Sequence, residues 1–412
     1  MKIQTPKSLR LQIAVFGRAN VGKSSFINAI TGQNVSIVSA EAGTTTDAVE
    51  KAMEIAPIGP VVFIDTAGVN DTSELAGERI KRTAAVFGRA DVFVVVTESG
   101  VWGEHEEKLR EEARERDVPL VAVVNKTDLG GTTDDFRERL KKITPYTMEC
   151  SCIDNAGQNA AINAFRDVLV RCLPNKSSPL EHPIAADLIP VGGLAILVTP
   201  IDAGAPKGRL ILPQVMVIRD ILDGHRTAMV VGDDEYLSSL SILNKNPDMV
   251  ICDSQVVNKI AEQTPPDIPL TTFSILFARL KGDLEILVRG AAAIDTLKKG
   301  DRVLIAEACA HHAAADDIGR VKIPNLLRKH TGLGDGDLHI DTYSGRDYPA
   351  ELERYSLIIH CGACMLTRRE MLLRIKDAVN KNVPITNYGV AITYFCGVLD
   401  RAVDWRIKCV KD

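Results

Sequence analysis

Gly17-Arg18-Ala19-Asn20-Val21-Gly22-Lys23-Ser24 decides the fold, because it follows the apolar run Leu11–Phe16 and leads into a helical pattern. A buried strand, a glycine-bearing turn and a helix in that order make a phosphate cradle. The glycines let backbone N–H groups face the anion, the helix N-terminus adds its dipole, Lys23 reaches the β- and γ-phosphates, and Ser24 can hold magnesium. Gly17, Asn20, Val21, Gly22 and Ser25 line the same turn.

Downstream, the apolar strand Val61–Ile64 ends in Asp65-Thr66-Ala67-Gly68. There Asp65 can approach the magnesium and the Gly68 amide the γ-phosphate. Between the two strands, Gly43-Thr44-Thr45-Thr46-Asp47 offers hydroxyls to a nucleotide-ordered loop, with Thr45 chosen for the metal. The base is named by Asn125-Lys126-Thr127-Asp128 after the strand Leu120–Val124. Asp128 can accept from both donors on the Watson–Crick edge of guanine, whereas adenine would oppose an acceptor to that carboxylate. The expected nucleotide is therefore GTP or GDP. Ser151 stands where a backbone amide meets the guanine oxygen, and Cys152 takes the place of an expected alanine.

These four ordered motifs resemble the GTPases of the TrmE and Era type. Val69 occupies the position of the water-orienting glutamine of Ras-like proteins, so that route to hydrolysis is missing. The resemblance implies that Asn20 holds potassium beside the phosphates, where a cation would offset transition-state charge. Lys23, Asn20, Thr45 and Gly68 are then the expected catalytic set. Arg18 and Arg89 are expected as surface charges.

A chain of 412 residues with a formal charge of -5 has room for two to four domains. It carries no basic footprint for duplex nucleic acid or an anionic membrane, and no apolar run long enough to cross a bilayer. Neither nucleic acid nor membrane is expected as a partner. Nine cysteines at irregular spacing argue for reduced thiols in a cytoplasmic protein. The expected architecture is α/β, a P-loop GTPase domain over residues 1–175 followed by two further α/β domains with parallel sheets, at 184–268 and 272–412. Strands at Leu194–Thr199, Thr227–Val231 and Met249–Cys252 alternate with helical patterns at Leu212–Leu222, Glu235–Leu243 and Val256–Gln263. This middle domain shows no catalytic constellation, and Asp233-Asp234 reads as a helix cap. Its apolar helix faces suggest assembly, with a homodimer expected. Pro265, Pro266 and Pro269 mark the boundary that follows.

Near the C-terminus, His360-Cys361-Gly362-Ala363-Cys364 completes a set of soft ligands opened by Cys309-Ala310-His311. Gly362 and Ala363 let the chain turn tightly enough for both flanking sulfurs to reach one metal centre. On spacing alone, zinc closed by a histidine and a cubane held by three cysteines are about equally favoured, with a smaller share for cysteines that bind nothing. Both halves of the set follow strands, Arg302–Ala306 and Leu357–Ile359, at the edge where open α/β sheets bind ligands. Thr367-Arg368-Arg369-Glu370 reads as a capping box opening the next helix.

A cysteine, one residue, a histidine, then forty-eight residues and His-Cys-x-x-Cys, behind a TrmE-like domain, resembles the FeFe-hydrogenase maturation GTPases, the HydF family. Asp316-Asp317-Ile318-Gly319-Arg320-Val321-Lys322-Ile323-Pro324 resembles them too. The resemblance implies a GTPase, a dimerisation and a cluster-binding domain, with Cys309, Cys361 and Cys364 holding a 4Fe-4S cluster. Asp316, His360, His311 or water would take its fourth position. It further implies that a dinuclear iron precursor is received from radical-SAM maturases and delivered to apo FeFe-hydrogenase. Two other readings are a ribosome- or RNA-associated GTPase with a structural zinc site and a redox enzyme that shuttles electrons. Against the first stand the charge balance and the lack of a Gly-x-x-Gly clamp or an aromatic stacking run. Against the second stands the missing fourth cysteine.

Overall fold

The structure is a computed structural model that describes residues 6–31, 49–66, 86–152, 155–173, 182–201, 208, 210–308, 317–345, 348–349, 351–363 and 365–405. Residues 174–179 and 202–205 and Cys409 lie outside the described residues. The chain forms two units, Met1–Glu181 and His182–Asp412.

In the first unit, β1 (Leu11–Phe16), β2 (Val49–Ile55), β3 (Gly59–Asp65), β4 (Val92–Glu98), β5 (Leu120–Asn125) and β6 (Thr147–Glu149) make one sheet in the order β2-β3-β1-β4-β5-β6. Every pairing is parallel except β2 with β3. β1 and β5 are buried along their whole length, which explains their largely apolar reading, with Gln12 the buried polar exception in β1: helices cover both faces. One face packs on α1 (Lys23–Thr31) and α4 (Asn155–Cys172) through Phe26 and Phe165, whose rings meet edge-on at 5.3 Å. The other packs on α2 (Glu104–Glu115) and α3 (Asp134–Ile143) through Leu109, Phe136 and Leu140.

The second unit holds two four-stranded sheets. In the first, β7 (Leu194–Val198), β8 (Thr227–Val231), β9 (Met249–Cys252) and β10 (Leu270–Thr272) lie in the order β10-β9-β7-β8, all parallel. They alternate with α5 (Leu212–Asp223), α6 (Tyr236–Ser241) and α7 (Val257–Gln263), as the periodicity requires. The prolines at 265–269 do not end this sheet: Leu270–Thr272 pairs with Val250–Cys252, so the middle sheet extends past residue 268. Asp233 and Asp234 do not cap a helix; both pair with Lys259, at 2.7 and 2.6 Å.

Thr272 caps α8 (Phe273–Lys281), accepting from the Ile275 amide, and seven of the nine helix residues are buried. Its side chains belong to a core shared with the last sheet. There follow α9 (Leu284–Ala291), β11 (Arg302–Ala306), α10 (Ile323–Thr331), β12 (His339–Tyr343), β13 (Leu357–His360), α11 (Arg368–Asn380), β14 (Ile385–Asn387), α12 (Tyr388–Phe395) and α13 (Leu399–Val403). This sheet, too, is all parallel, in the order β12-β11-β13-β14. No described helix is long and apolar enough to cross a membrane.

Candidate functional site

Parallel pairing brings the carboxyl ends of β1, β3, β4 and β5 to one edge of the first sheet, and the nucleotide motifs follow those ends. Gly17 (φ 146°) and Gly22 (φ 91°) have backbone that L side chains rarely adopt, and there is no room for one. A Cβ on Gly17 would meet Val96 O, and one on Gly22 would meet Asn125 Nδ2, each at 2.3 Å. Lys23 is buried at the start of α1; its Nζ donates to Gly17 O at 2.8 Å and Arg18 O at 2.7 Å. Two of its three N–H groups are thereby used, and burial holds its pKa below the usual lysine value, against the pull of Asp65. Ser24 Oγ donates to Asp65 Oδ2 at 2.9 Å, so the two residues expected at magnesium stand together. That pairing of a hydroxyl with a carboxylate fits a hard divalent cation.

On the base side, Asn125 Nδ2 donates to Val21 O at 3.0 Å, tying the guanine motif to the phosphate loop. Lys126 takes a left-handed φ of 59° and its Nζ pairs with Glu98 at 2.6 Å. Ser151 Oγ donates to Asp128 Oδ1 at 2.8 Å, and the Asp128 side chain remains exposed. Cys152 is half-buried and lies beside the Cys150 thiol, which donates to Asn125 Oδ1 at 3.6 Å. Thr45, Gly68 and Val69 lie outside the described residues.

Three findings modify the expectations for this unit. Asn20 sits at φ 63°, a conformation that asparagine tolerates better than most residues, so the backbone alone gives a reason for it. Arg18 is not a loose surface charge: its guanidinium makes two 2.8 Å bonds to the buried Glu106 of α2. Arg89 is 5% exposed and pairs with Glu50 at 2.8 Å. Neither arginine is free to act as a finger. Glu106 carries no local sign of this role, because its partner is 88 residues away.

In the last sheet, β11 and β13 are adjacent and parallel with Ala306 opposite His360, so the chain leaves both strands at the same edge. The Cys361 amide donates to Ala306 O at 2.8 Å, while the Ala308 amide donates to Cys361 Sγ at 3.1 Å. A second amide, from Ala363, reaches the same sulfur at 3.4 Å. Two N–H groups aimed at one sulfur favour its anionic form, and this donor set fits a thiolate-held metal group. The left-handed residue in the turn is Ala363 (φ 52°), not Gly362.

His360 is fully buried, and both ring nitrogens are engaged: Nε2 lies 2.9 Å from Arg374 Nη1, and Nδ1 lies 2.9 Å from Cys361 O. A guanidinium cannot accept, so Nε2 is the acceptor and the proton sits on Nδ1, donated to the Cys361 carbonyl. Burial, reinforced by Arg374, pushes the His360 pKa down to about 3, so the ring is neutral. The capping box is present: Thr367 Oγ1 accepts from the Glu370 amide at 3.2 Å and the Glu370 carboxylate accepts from the Thr367 amide at 2.8 Å. Cys309, Cys364, His311 and Asp316 lie outside the described residues, and among the described ones no group of three or more metal-binding side chains is gathered. Sequence reasoning missed Lys281 and Arg374, which hold this loop from two helices.

Comparison with known proteins follows the same division. The family model described as "50S ribosome-binding GTPase" matches residues 12–126. The chain is 37% identical over 139 residues to a GTPase Der of Deinococcus deserti, covering 33% of this chain and 31% of that protein. It is 41% identical over 124 residues to a tRNA modification GTPase MnmE of a Synechococcus species, covering 29% of this chain and 26% of that protein. Thus it spans under a third of the length of these curated relatives. Among solved structures, the G domain of the T. maritima FeoB iron transporter matches with 21% identity, TM-score 0.30, and coverage of 39% of this chain and 99% of that one. The second unit matches differently: residues 184–282 fit "Hydrogen maturase F dimerization domain" and residues 285–405 fit "Hydrogen maturase F tetramerization domain". With a GTPase domain in front and both maturase domains behind it in order, this chain belongs to the hydrogen maturase F family.

Proposed function

We propose that the protein is a GTP-hydrolysing scaffold that holds a 4Fe-4S cluster on Cys309, Cys361 and Cys364. From that scaffold it carries a dinuclear iron precursor from radical-SAM maturases to apo FeFe-hydrogenase in the cytoplasm. The observation that carries the cluster assignment is the shared edge of β11 and β13, where two backbone amides converge on Cys361 Sγ. Three thiolates leave a cubane one exchangeable position, which is what a carrier needs. Both nitrogens of His360 are already hydrogen-bonded, which favours Asp316, His311 or solvent over it for that position. The test is electron paramagnetic resonance of the anaerobically reconstituted, reduced full chain with and without imidazole. A cluster signal altered by imidazole is expected, and tightly bound zinc with no such signal overturns the assignment.

In the GTPase domain, Lys23 neutralises phosphate charge, Ser24 and Asp65 hold magnesium with Thr45, and the Gly68 amide marks the γ-phosphate. Asn125, Lys126 and Asp128 select guanine. Asn20 holds potassium, whose charge would stand in for the absent arginine finger. Hydrolysis faster in potassium than in sodium is expected, and equal rates would remove the cation from the mechanism. Nucleotide state acts on partner docking or oligomer geometry, since it can move an equilibrium only through contacts that differ between states.

A further inference from the structure

The phosphate loop is tied to α2 by one buried carboxylate. Glu106 lies in the first turn of α2, and its oxygens accept both from the loop and from the start of its own helix. Arg18 donates Nε to Oε1 and Nη2 to Oε2, each at 2.8 Å, and the Gly103 amide donates to Oε2 at 2.8 Å. Burial alone would raise the pKa of this carboxyl, but the Arg18 fork and the Gly103 amide hold it below the usual glutamate value, so it is ionised at neutral pH. The turn in front of α2 is itself fixed: Trp102 O accepts from Arg139 Nη2 of α3 at 2.8 Å, and the Val101 amide donates to Glu98 O at 3.1 Å. Gly103 has an extended backbone (φ -127°, ψ -156°) that does not call for glycine. A Cβ there would lie 2.9 Å from Arg18 Nη2, so the missing side chain leaves the space that the guanidinium occupies.

Arg18 faces two ways. Its side chain grips Glu106, while its carbonyl accepts from Lys23 Nζ at 2.7 Å, so carboxylate, loop residue and phosphate-reaching lysine form one line. A bidentate guanidinium–carboxylate pair fixes orientation as well as distance. The two partners differ in exposure, with the Glu106 side chain 1% exposed and the Arg18 side chain 46%. Burying a carboxylate to meet an arginine that already reaches water gains little for folding, so stability alone does not account for the pair. We propose that Glu106 is a positioning residue for GTP hydrolysis: it sets the Arg18 carbonyl, and through that carbonyl the Lys23 ammonium, against the phosphates, with Gly103 leaving room for the fork. The inference rests on the GTPase reading above, in which Lys23 neutralises phosphate charge. Glu106 acts through Arg18 and not on the nucleotide itself.

The test compares GTP turnover by the full chain as wild type, Glu106→Gln, Gly103→Ala and the double variant. Thermal unfolding reports folding, and competition between GTP and inosine triphosphate reports base selection. Glu106→Gln keeps the shape, removes the charge and leaves Arg18 in reach of water, so the domain should stay folded. Its kcat should fall about ten- to a hundredfold, the loss that a shift of about an ångström in a charged group implies. Gly103→Ala keeps both charges and displaces the fork, and its kcat should fall too. Inosine triphosphate lacks the amino group assigned to Asp128, and the preference for GTP over it should stay at the wild-type ratio in every variant. Both changes act on one fork, so the double variant should be no slower than the slower single, whereas independent lesions would multiply. An unchanged kcat in folded Glu106→Gln overturns the proposal, as do multiplied losses in the double variant or a base preference that falls along with kcat. If Glu106→Gln does not fold, Gly103→Ala is decisive by itself: an unchanged kcat overturns the proposal. In each of these cases an active wild type leaves the GTPase reading standing. Wild type that turns over no GTP overturns that reading itself, and this inference falls with it.

Discussion

Asp128 is exposed, fixed on one oxygen by Ser151 at 2.8 Å, and follows a left-handed Lys126 that turns the motif away from β5. Its carboxylate is the proposed receptor for two donors from guanine, and a single change of chemistry tests this. Asp128→Asn presents one donor and one acceptor in the same space, so GTP should bind about 100- to 10,000-fold more weakly. Xanthosine triphosphate, whose ring carries an oxygen in place of the amino group, should bind in its stead. Competition against a fluorescent nucleotide measures both, and unchanged GTP affinity would remove Asp128 from the base site. The motifs of this candidate site could be read from the sequence because each is contiguous and the proposed chemistry needs those residue types. Glu106 and Arg374 could not. Their partners lie 88 and 14 residues away, and a pairing made only by folding leaves no local pattern. The same reason hid the burial of Arg89 against Glu50.

At the scale of elements, β1, β5 and β9 were readable because both their faces are covered and most of their residues are therefore apolar. β10 escaped because it is three residues long and follows three prolines, a composition that signals a break. The α11 cap was readable from Thr367 and Glu370 alone, because a capping box is local chemistry. Helix-to-sheet distance was not readable, and Gly290 shows why it matters. α9 approaches β14 so closely that a Cβ at Gly290 would lie 1.9 Å from Ile385 O and 2.5 Å from Ile385 C. These are backbone atoms of a paired strand and cannot swing aside. Gly290→Ala should therefore destabilise the second unit by about 1–3 kcal/mol or more, through displacement of the helix. Thermal unfolding of the full chain should show a lowered transition. Gly130→Ala, at a site with nothing within 4 Å, should leave stability nearly unchanged.

For the whole molecule, matches to dimerization and tetramerization domains support oligomer formation, and the second unit offers one surface on which a contact between copies can be tested. β8 is an edge strand whose residues are all at least partly exposed, unlike the fully buried β9. An open edge of a parallel sheet offers unpaired N–H and C=O groups to a second chain. Apolar side chains accompany that edge. Val230 is 41% exposed on the strand itself, Val215 and Leu222 (40% and 50%) repeat seven residues apart on α5, and Leu237 on α6 is 52% exposed. Val215 and Leu222 share one helix face. A second copy laid against this edge would extend the sheet and bury that apolar surface in a single step. Val230→Asp combined with Leu222→Asp places like charges on both copies of a two-fold contact without touching the buried core. Light scattering on the full chain should then give about half the wild-type mass, with guanine nucleotide binding unaffected because the nucleotide motifs lie in the other unit. If the double variant assembles as the wild type does, the edge of β8 is not the contact, and the exposed residues of that face have another use.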